Sequence, residues 1–343
     1  MFVQTARLRA NRHPSGPAPW ILRLAALRAW LFLILLLAVF ETWARVSYGT
    51  SFVLSSYNAQ SIAIFAVAPL LLALGETFVI IAGGIDLSVG FVMGLSAVIA
   101  ADATNAAGTV LPGFPAMLVG IAAGLAAALV PGAVNGWLIS KLKVPPFIGT
   151  LGMFGVARGA AFLLANGTTV PVANDWFASL GNGRILGFPV VVIVTVAFVL
   201  LMHYGLGQTR FGQHTYAIGA SEQAAIRAGI GVGRHTRRLY LLSALCAGLG
   251  GVLYTARFTA GAAQAGEPLL LDSIAAVVIG GASLFGGSGT ILGTVAGSLV
   301  IAVIQYGLVF IDVAPFWQFV AVGVVIIISV LVDQTQRKLG GER

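Results

Sequence analysis

Glu76 and Asp86 are the residues of this chain best placed to do chemistry, because both stand in an otherwise apolar stretch, GETFVIIAGGIDLSVGFVMG over 75–94. An ionised carboxylate at the centre of a bilayer costs about 2.5–3.5 kcal/mol on insertion scales, so such groups face a polar cavity or sit near an interface. The pair suits either the wall of a solute passage or the proton relay of a secondary transporter. The bland alternatives are a buried, satisfied structural carboxylate for Glu76 and N-cap duty for Asp86 and Ser88. Enzymatic chemistry has less to work with. His203, His214 and His235 gather toward one side of the hydropathy crossings, but none has a Cys, Asp or Glu at the spacing of a metal site or of a nucleophile and its base. The single Cys246 excludes a disulfide within the chain, has no ligand partner and reads as core packing. No catalytic residue and no metal ligand is assigned, and a membrane-embedded acyl or glycosyl transferase is the least favoured reading.

The elements that must position these residues are membrane helices. The 343 residues are 58% apolar and 9% charged with a mean hydropathy of +0.97, against about 45–50% and 25% in soluble domains. Hydropathy gives ten crossings, near 24–46, 58–82, 88–104, 114–140, 146–165, 188–206, 237–258, 270–285, 290–310 and 315–333. A cytoplasmic N-terminus then puts 15 of the 19 basic residues inside, from Arg7, Arg9, Arg12, Arg23 and Arg28 to Arg337, Lys338 and Arg343. That asymmetry obeys the positive-inside rule. The expected fold is an all-α integral membrane protein of about ten transmembrane helices with Gly-interrupted segments and both termini in the cytoplasm. It divides into an N-terminal tail (1–23), a transmembrane domain (24–333) with a cytoplasmic loop at 207–238, and a C-terminal tail (334–343). The basic residues before the first apolar run resemble a secretory signal, but the run is long and lacks a small-x-small cleavage site, so it reads as a retained anchor. The net charge of +8 points to lipid headgroups rather than nucleic acid in so apolar a chain. Between the fifth and sixth crossings, 166–187 has room for a short surface helix around 175–180.

Two segments interrupt the helical pattern. AVVIGGASLFGG over 276–287 aligns without a gap to VIIAGGIDLSVG over 79–90, so that Gly83, Gly84, Leu87 and Gly90 match Gly280, Gly281, Leu284 and Gly287, and Ser283 stands opposite Asp86. Paired glycine breaks in the two halves of a transporter point to the transport pathway, where half-helix ends leave backbone donors and acceptors free for ions or hydroxyl groups. Tight helix packing explains the same glycines without a pathway.

The longest cytoplasmic loop, 207–238, carries five arginines and a short helix of its own. Ser221 is a good N-cap, Glu222 complements the helix dipole and Gly229 can end the helix. Ala225 and Gly229, with Ile226 and Ile230, form adjacent rows that offer a small, smooth surface to something docking from the cytoplasm.

These runs, with PGAVNGWLISKLKVPPFIGTLGMFGVARG, GQHTYAIGASEQAAIRAGIGV and IGGASLFGGSGTILGTVAG in the same order, resemble the ribose/xylose/arabinose/galactose permease family of bacterial ATP-binding cassette importers from about Val53 onward. The resemblance implies a multi-pass permease subunit of the inner membrane that works as a pair, either a homodimer or with a close paralogue. It also implies delivery of a monosaccharide or related small polyol by a periplasmic binding protein, and drive from a cytoplasmic ATPase that uses ATP and Mg²⁺. No G-x-x-x-x-G-K-[ST] phosphate loop is present, so hydrolysis falls to another chain and no cofactor is expected in this one. Carried over, Ser221, Glu222, Ala225 and Gly229 become the coupling helix. Asn135, Thr150 and Gly152 match polar and small positions of the second motif and join Gly83, Gly84, Asp86, Ser88, Gly280, Gly281 and Ser283 as pathway candidates. The rival is a proton-coupled secondary transporter using Glu76 or Asp86.

Overall fold

The computed structural model describes residues 19–314 and 316–340. Arg7, Arg9, Arg12 and Arg343, and most of the tail read at 1–23, lie outside the described residues. Thirteen helices are found among them: α1 (Pro19–Tyr48), α2 (Ser56–Ile81), α3 (Val89–Gly108), α4 (Gly113–Lys141), α5 (Pro146–Leu164), α6 (Asp175–Asn182), α7 (Val190–Gln208), α8 (Arg210–Ala220), α9 (Glu222–Arg227), α10 (Val232–Phe258), α11 (Leu269–Ile279), α12 (Ile291–Phe310) and α13 (Phe316–Gly340). The chain is an all-α membrane protein. Eight of these helices, α1 to α5, α7, α10 and α12, are long and apolar enough to cross a bilayer. The crossing read at 270–285 is instead α11, whose 11 residues reach only about 16 Å at 1.5 Å per residue, because it stops at Gly280. The crossing at 315–333 is α13, which continues to Gly340 into the stretch read as a tail. The anticipated surface helix is α6, capped by Asn174, whose side chain accepts from the Phe177 N–H.

The helices alternate between two faces. One carries the turns at 82–88, 142–145 and 280–290 together with α8 and α9, and the other carries 49–55, 109–112, 165–189, 259–268 and 311–314. Two-residue strand pairs knit the second face, β1 (Val170–Pro171) to β4 (Ala260–Gly261) and β2 (Arg184–Ile185) to β3 (Phe188–Pro189). The Asn105 side chain donates to Pro171 O at 2.8 Å and holds α3 to this lacing.

Helices α2, α3, α10 and α12 are buried along most of their length, whereas α1, α4, α5 and α7 each bury one stripe. Lipid tails are as apolar as the helices, so burial does not drive association here, and close packing with interhelical hydrogen bonds must do so. Glycines permit the packing. A Cβ on Gly94 would collide with the carbonyl of Ala263, and one on Gly251 with the carbonyl of Met93. Between such contacts Ser96 donates to Gly248 O at 2.9 Å, Thr255 to Ala97 O at 3.0 Å, and the Thr77 and Thr294 hydroxyls meet at 2.7 Å. Gly94→Ala should therefore cost about 1–3 kcal/mol through overpacking, while Gly152→Ala on α5, where an added Cβ meets nothing within 4 Å, should stay within about 0.5 kcal/mol. Thermal denaturation of the purified protein in detergent checks the contrast, and equal melting temperatures for the two variants would contradict it.

Candidate functional site

The turn between α2 and α3 exists because α2 has to stop. Its 26 residues span about 39 Å, more than the roughly 30 Å hydrocarbon core, so the glycine break ends a complete crossing and does not bisect one. Gly83 takes φ +81°, a left-handed conformation that costs a side-chain-bearing residue dearly. Its N–H donates to Ile80 O at 2.9 Å and the Gly84 N–H donates to Val79 O at 2.9 Å. These are the paired bonds of a Schellman cap, and they satisfy the last carbonyls of α2. Helix α11 ends in the same way. Gly281 takes φ +93°, donating to Val278 O at 3.0 Å while Ala282 N–H donates to Val277 O at 3.1 Å. Gly83 thus corresponds in structure to Gly281, one residue off the gapless alignment that paired it with Gly280. Gly280 has another task, since a Cβ there would strike the Gly293 backbone of α12. The caps also correct the expectation of free backbone acceptors at both breaks, because those carbonyls are bonded.

Beyond this cap the Asp86 carboxylate, 1% exposed, is solvated by protein. Its Oδ1 accepts from the Ser88 N–H at 3.1 Å and the Ser88 hydroxyl at 2.6 Å, and its Oδ2 accepts from the Ser243 hydroxyl of α10 at 2.9 Å. Asn135 of α4 extends the network by donating to Ser88 Oγ at 3.0 Å. Tyr240 completes it from α10, donating to Ile85 O at 3.2 Å. Asp86 is therefore not the N-cap of α3. Ser88 holds that position, and its side chain caps nothing because Asp86 engages it. Glu76 is buried without the satisfaction anticipated for it, for neither carboxyl oxygen has a hydrogen bond of ordinary geometry among the described residues. The Asp86 N–H faces it without reaching ordinary hydrogen-bond geometry.

The two glycine breaks, distant in sequence, touch. Gly287 N–H donates to Ile81 O at 2.8 Å, the end of α2. A Cβ on Gly286 would lie 2.9 Å from Gly219 O and 3.1 Å from the Gly83 Cα. Gly219, near the end of α8, is itself wedged so closely that a Cβ would collide with Ile81 O. Tyr216 of α8 donates to Gly289 O at 2.7 Å, and burial raises its phenol above the ordinary value, keeping it a neutral donor. One residue beyond α8, Ser221 caps α9 by accepting from the Ala224 N–H at 3.2 Å. A third Schellman pair closes α9, with Gly229 at φ +80° donating to Ile226 O at 3.0 Å and Ile230 to Ala225 O at 3.0 Å. Glu222, Ile226 and Gly229 are exposed, but Ala225 is buried at 3% exposure. The smooth docking row expected of Ala225 is thus turned inward as α9 packs on α8 and α10.

A 240 Å³ cleft separates these parts, lined by Gly83, Gly84, Ser140, Lys143, Glu222 and Tyr240 among others. Thr150 is not among the lining residues, and its hydroxyl donates to Pro146 O of its own helix at 2.9 Å. Ser283 shapes the second break locally, its hydroxyl oxygen accepting from the Phe285 N–H at 3.1 Å.

Residues 58–330 match the family model described as a branched-chain amino acid transport system permease component. The chain belongs to this family of transport-system permeases. It is 41% identical over 266 residues to a ribose import permease of Bacillus subtilis (strain 168), covering 77% of this chain and 80% of the relative. It is 37% identical over 273 residues to a fructose import permease of Rhizobium meliloti, covering 77% and 74%. It is also 32% identical over 330 residues to a D-allose transport system permease of Escherichia coli (strain K12), covering 96% and 98%. In this permease, sequence reasoning missed Tyr240 and Ser243, whose spacing puts both on one face of α10, and it missed Gly219.

Ser243→Ala strips a donor from a buried carboxylate and should cost about 1–3 kcal/mol, with Asp86→Ala costing more because it abandons three donors. Glu76→Met should leave stability unchanged or raised, since it replaces an unsatisfied buried carboxyl with an apolar group of similar length. Melting temperatures of the three variants give the order, and a Glu76→Met that melts lowest would reverse this account.

Proposed function

We propose that this permease is the membrane-spanning subunit of an ATP-binding cassette importer that passes a monosaccharide or related small polyol inward across the bacterial inner membrane. A periplasmic binding protein delivers the solute, and a separate cytoplasmic ATPase, using ATP and Mg²⁺, drives the cycle on a pair of permease copies. The sugar class rests on the names of the three relatives. The drive rests on one observation, the unbroken contact from the exposed helix α9 through Gly219 to both glycine turns. In this reading the α8–α9 face and both termini are cytoplasmic. Ser221, Glu222, Ala225 and Gly229 form the coupling helix, with Glu222 and the neighbouring Ile226 facing the ATPase and Ala225 seating the helix. Gly83, Gly84, Asp86, Ser88, Asn135, Thr150, Gly280, Gly281 and Ser283 then belong to the gate and passage. Closing of the ATPase moves α9, and the turn cluster moves with it.

Glu222→Arg combined with Ile226→Glu should weaken ATPase docking by about 1–2 kcal/mol, roughly tenfold in affinity, and cut uptake in proteoliposomes while the permease keeps its melting temperature. Collapsing the proton gradient with ATP maintained should leave uptake intact. Normal uptake in the double variant would remove the coupling role, and uptake lost with the proton gradient would favour the proton-coupled rival.

A further inference from the structure

A second cavity, larger than the cleft at the turn cluster, lies away from it. It occupies the opposite half of the molecule, between α2, α7, α10, α11, α12 and α13, and encloses 600 Å³. That volume falls within the roughly 300–1,000 Å³ of small-molecule sites. Phe65, Leu253, Tyr254, Phe258 and Phe319 supply much of its wall. Asp272 stands at its edge, 7% exposed, one turn inside α11. Its Oδ2 accepts from Gln305 Nε2 of α12 at 2.8 Å. No hydrogen bond to its other oxygen is found among the described residues, nor any ion pair, since the ion pairs there join Arg45 to Glu41 and Arg158 to Glu267. Gln264 and Gln318 also line the cavity. Across from them Pro69 of α2 has no N–H to give the carbonyl of Phe65, and both residues face the same space. Arg257 also lines the cavity and donates to Asn182 Oδ1 through one of its N–H groups.

A structural role explains little of this. A carboxylate near the start of α11 favours the helix dipole, yet an uncharged cap would do so without burying an acid among apolar helices, where acids mark functional sites. The chemistry of the wall is specific. A carboxylate that only accepts, amides that donate and accept, and flat aromatic faces together match a ligand with several hydroxyl groups on one side and C–H bonds on the other. A bare cation would find a single carboxylate.

We infer that the Asp272–Gln305 cavity is a binding site for a small polyhydroxylated solute, entered from the face opposite α8 and α9. The inference rests on the proposed function for the direction of entry and for the solute class. In that reading the cavity receives the sugar before the turn cluster opens, and Asp272 and Gln305 select for hydroxyl groups.

The test uses the whole importer with its binding protein and ATPase in proteoliposomes, with ribose, fructose, allose and leucine as probes. Asp272→Asn and Gln305→Leu should raise the KM for the transported sugar by about tenfold. Ala68→Phe, which fills the cavity from α2, should abolish uptake in a complex that still assembles. A reading independent of these variants comes from Gln264→Cys, because the native Cys246 is buried. A membrane-impermeant maleimide should label it, and the transported sugar but not leucine should slow labelling by about threefold or more. If the wild-type importer moves leucine and none of the sugars, the proposed function falls and this site falls with it. If it moves one of them, yet the KM is unchanged in both variants and no sugar protects the cysteine, only the site is overturned. Protection by leucine, or by added lipid alone, likewise overturns it.

Discussion

A carboxylate taken out of water has to be solvated by whatever surrounds it, and most of this architecture can be traced from how Asp86 is solvated. Its acceptor lobes are filled by a backbone N–H and two hydroxyls, one from its own turn and one from α10. A donor on α4 reaches the same serine. Three helices that would otherwise attract each other no more than they attract lipid are therefore registered on one charge. The register fixes the turn between α2 and α3, the turn fixes Ile81 and Gly83, and these in turn receive Gly286, Gly287 and Gly219.

The second constraint is backbone accounting. The last carbonyls of a helix have no partner within it, and the helix ends at Gly83, Gly281 and Gly229 answer this with the same pair of bonds. Repetition of one cap explains why the two glycine breaks resemble each other in sequence. It also explains why the resemblance alone misjudged them as open half-helices: a Gly-Gly pair looks the same whether the chain frays or closes there. The one-residue offset between the alignment and the structure has the same origin. The left-handed position is the second glycine of one pair and the first of the other, according to which glycine is needed for close approach to a neighbouring helix.

Hydropathy made the eight long spans legible because a 20-residue apolar run has few other uses, and Ser221 with Gly229 marked α9 to the residue. Less local facts were hidden. The shortness of α11 depends on Gly280 packing against Gly293, and the inward turn of Ala225 depends on where α8 and α10 lie. Asp272 and Gln305 are joined across a gap of 33 residues, so neither stood out. Glu76 shows the opposite failure, since its residue type promised a partner and neither carboxyl oxygen has a hydrogen bond of ordinary geometry among the described residues. Within the candidate site, Asp86, Ser88 and Asn135 are joined by hydrogen bonds, whereas the donors Tyr240 and Ser243 sit on α10, far away in sequence, and carried no local signal.

The contact between Gly219, Ile81 and Gly286 has a mechanical consequence. Side chains absorb small displacements by changing rotamer, as springs would, but main chain resting on main chain has no such compliance. A push arriving through α8 is therefore passed on as displacement and not dissipated locally, which makes this three-way junction a rigid bearing. A substitution that fitted a flexible side chain there would give this junction the compliance it now lacks.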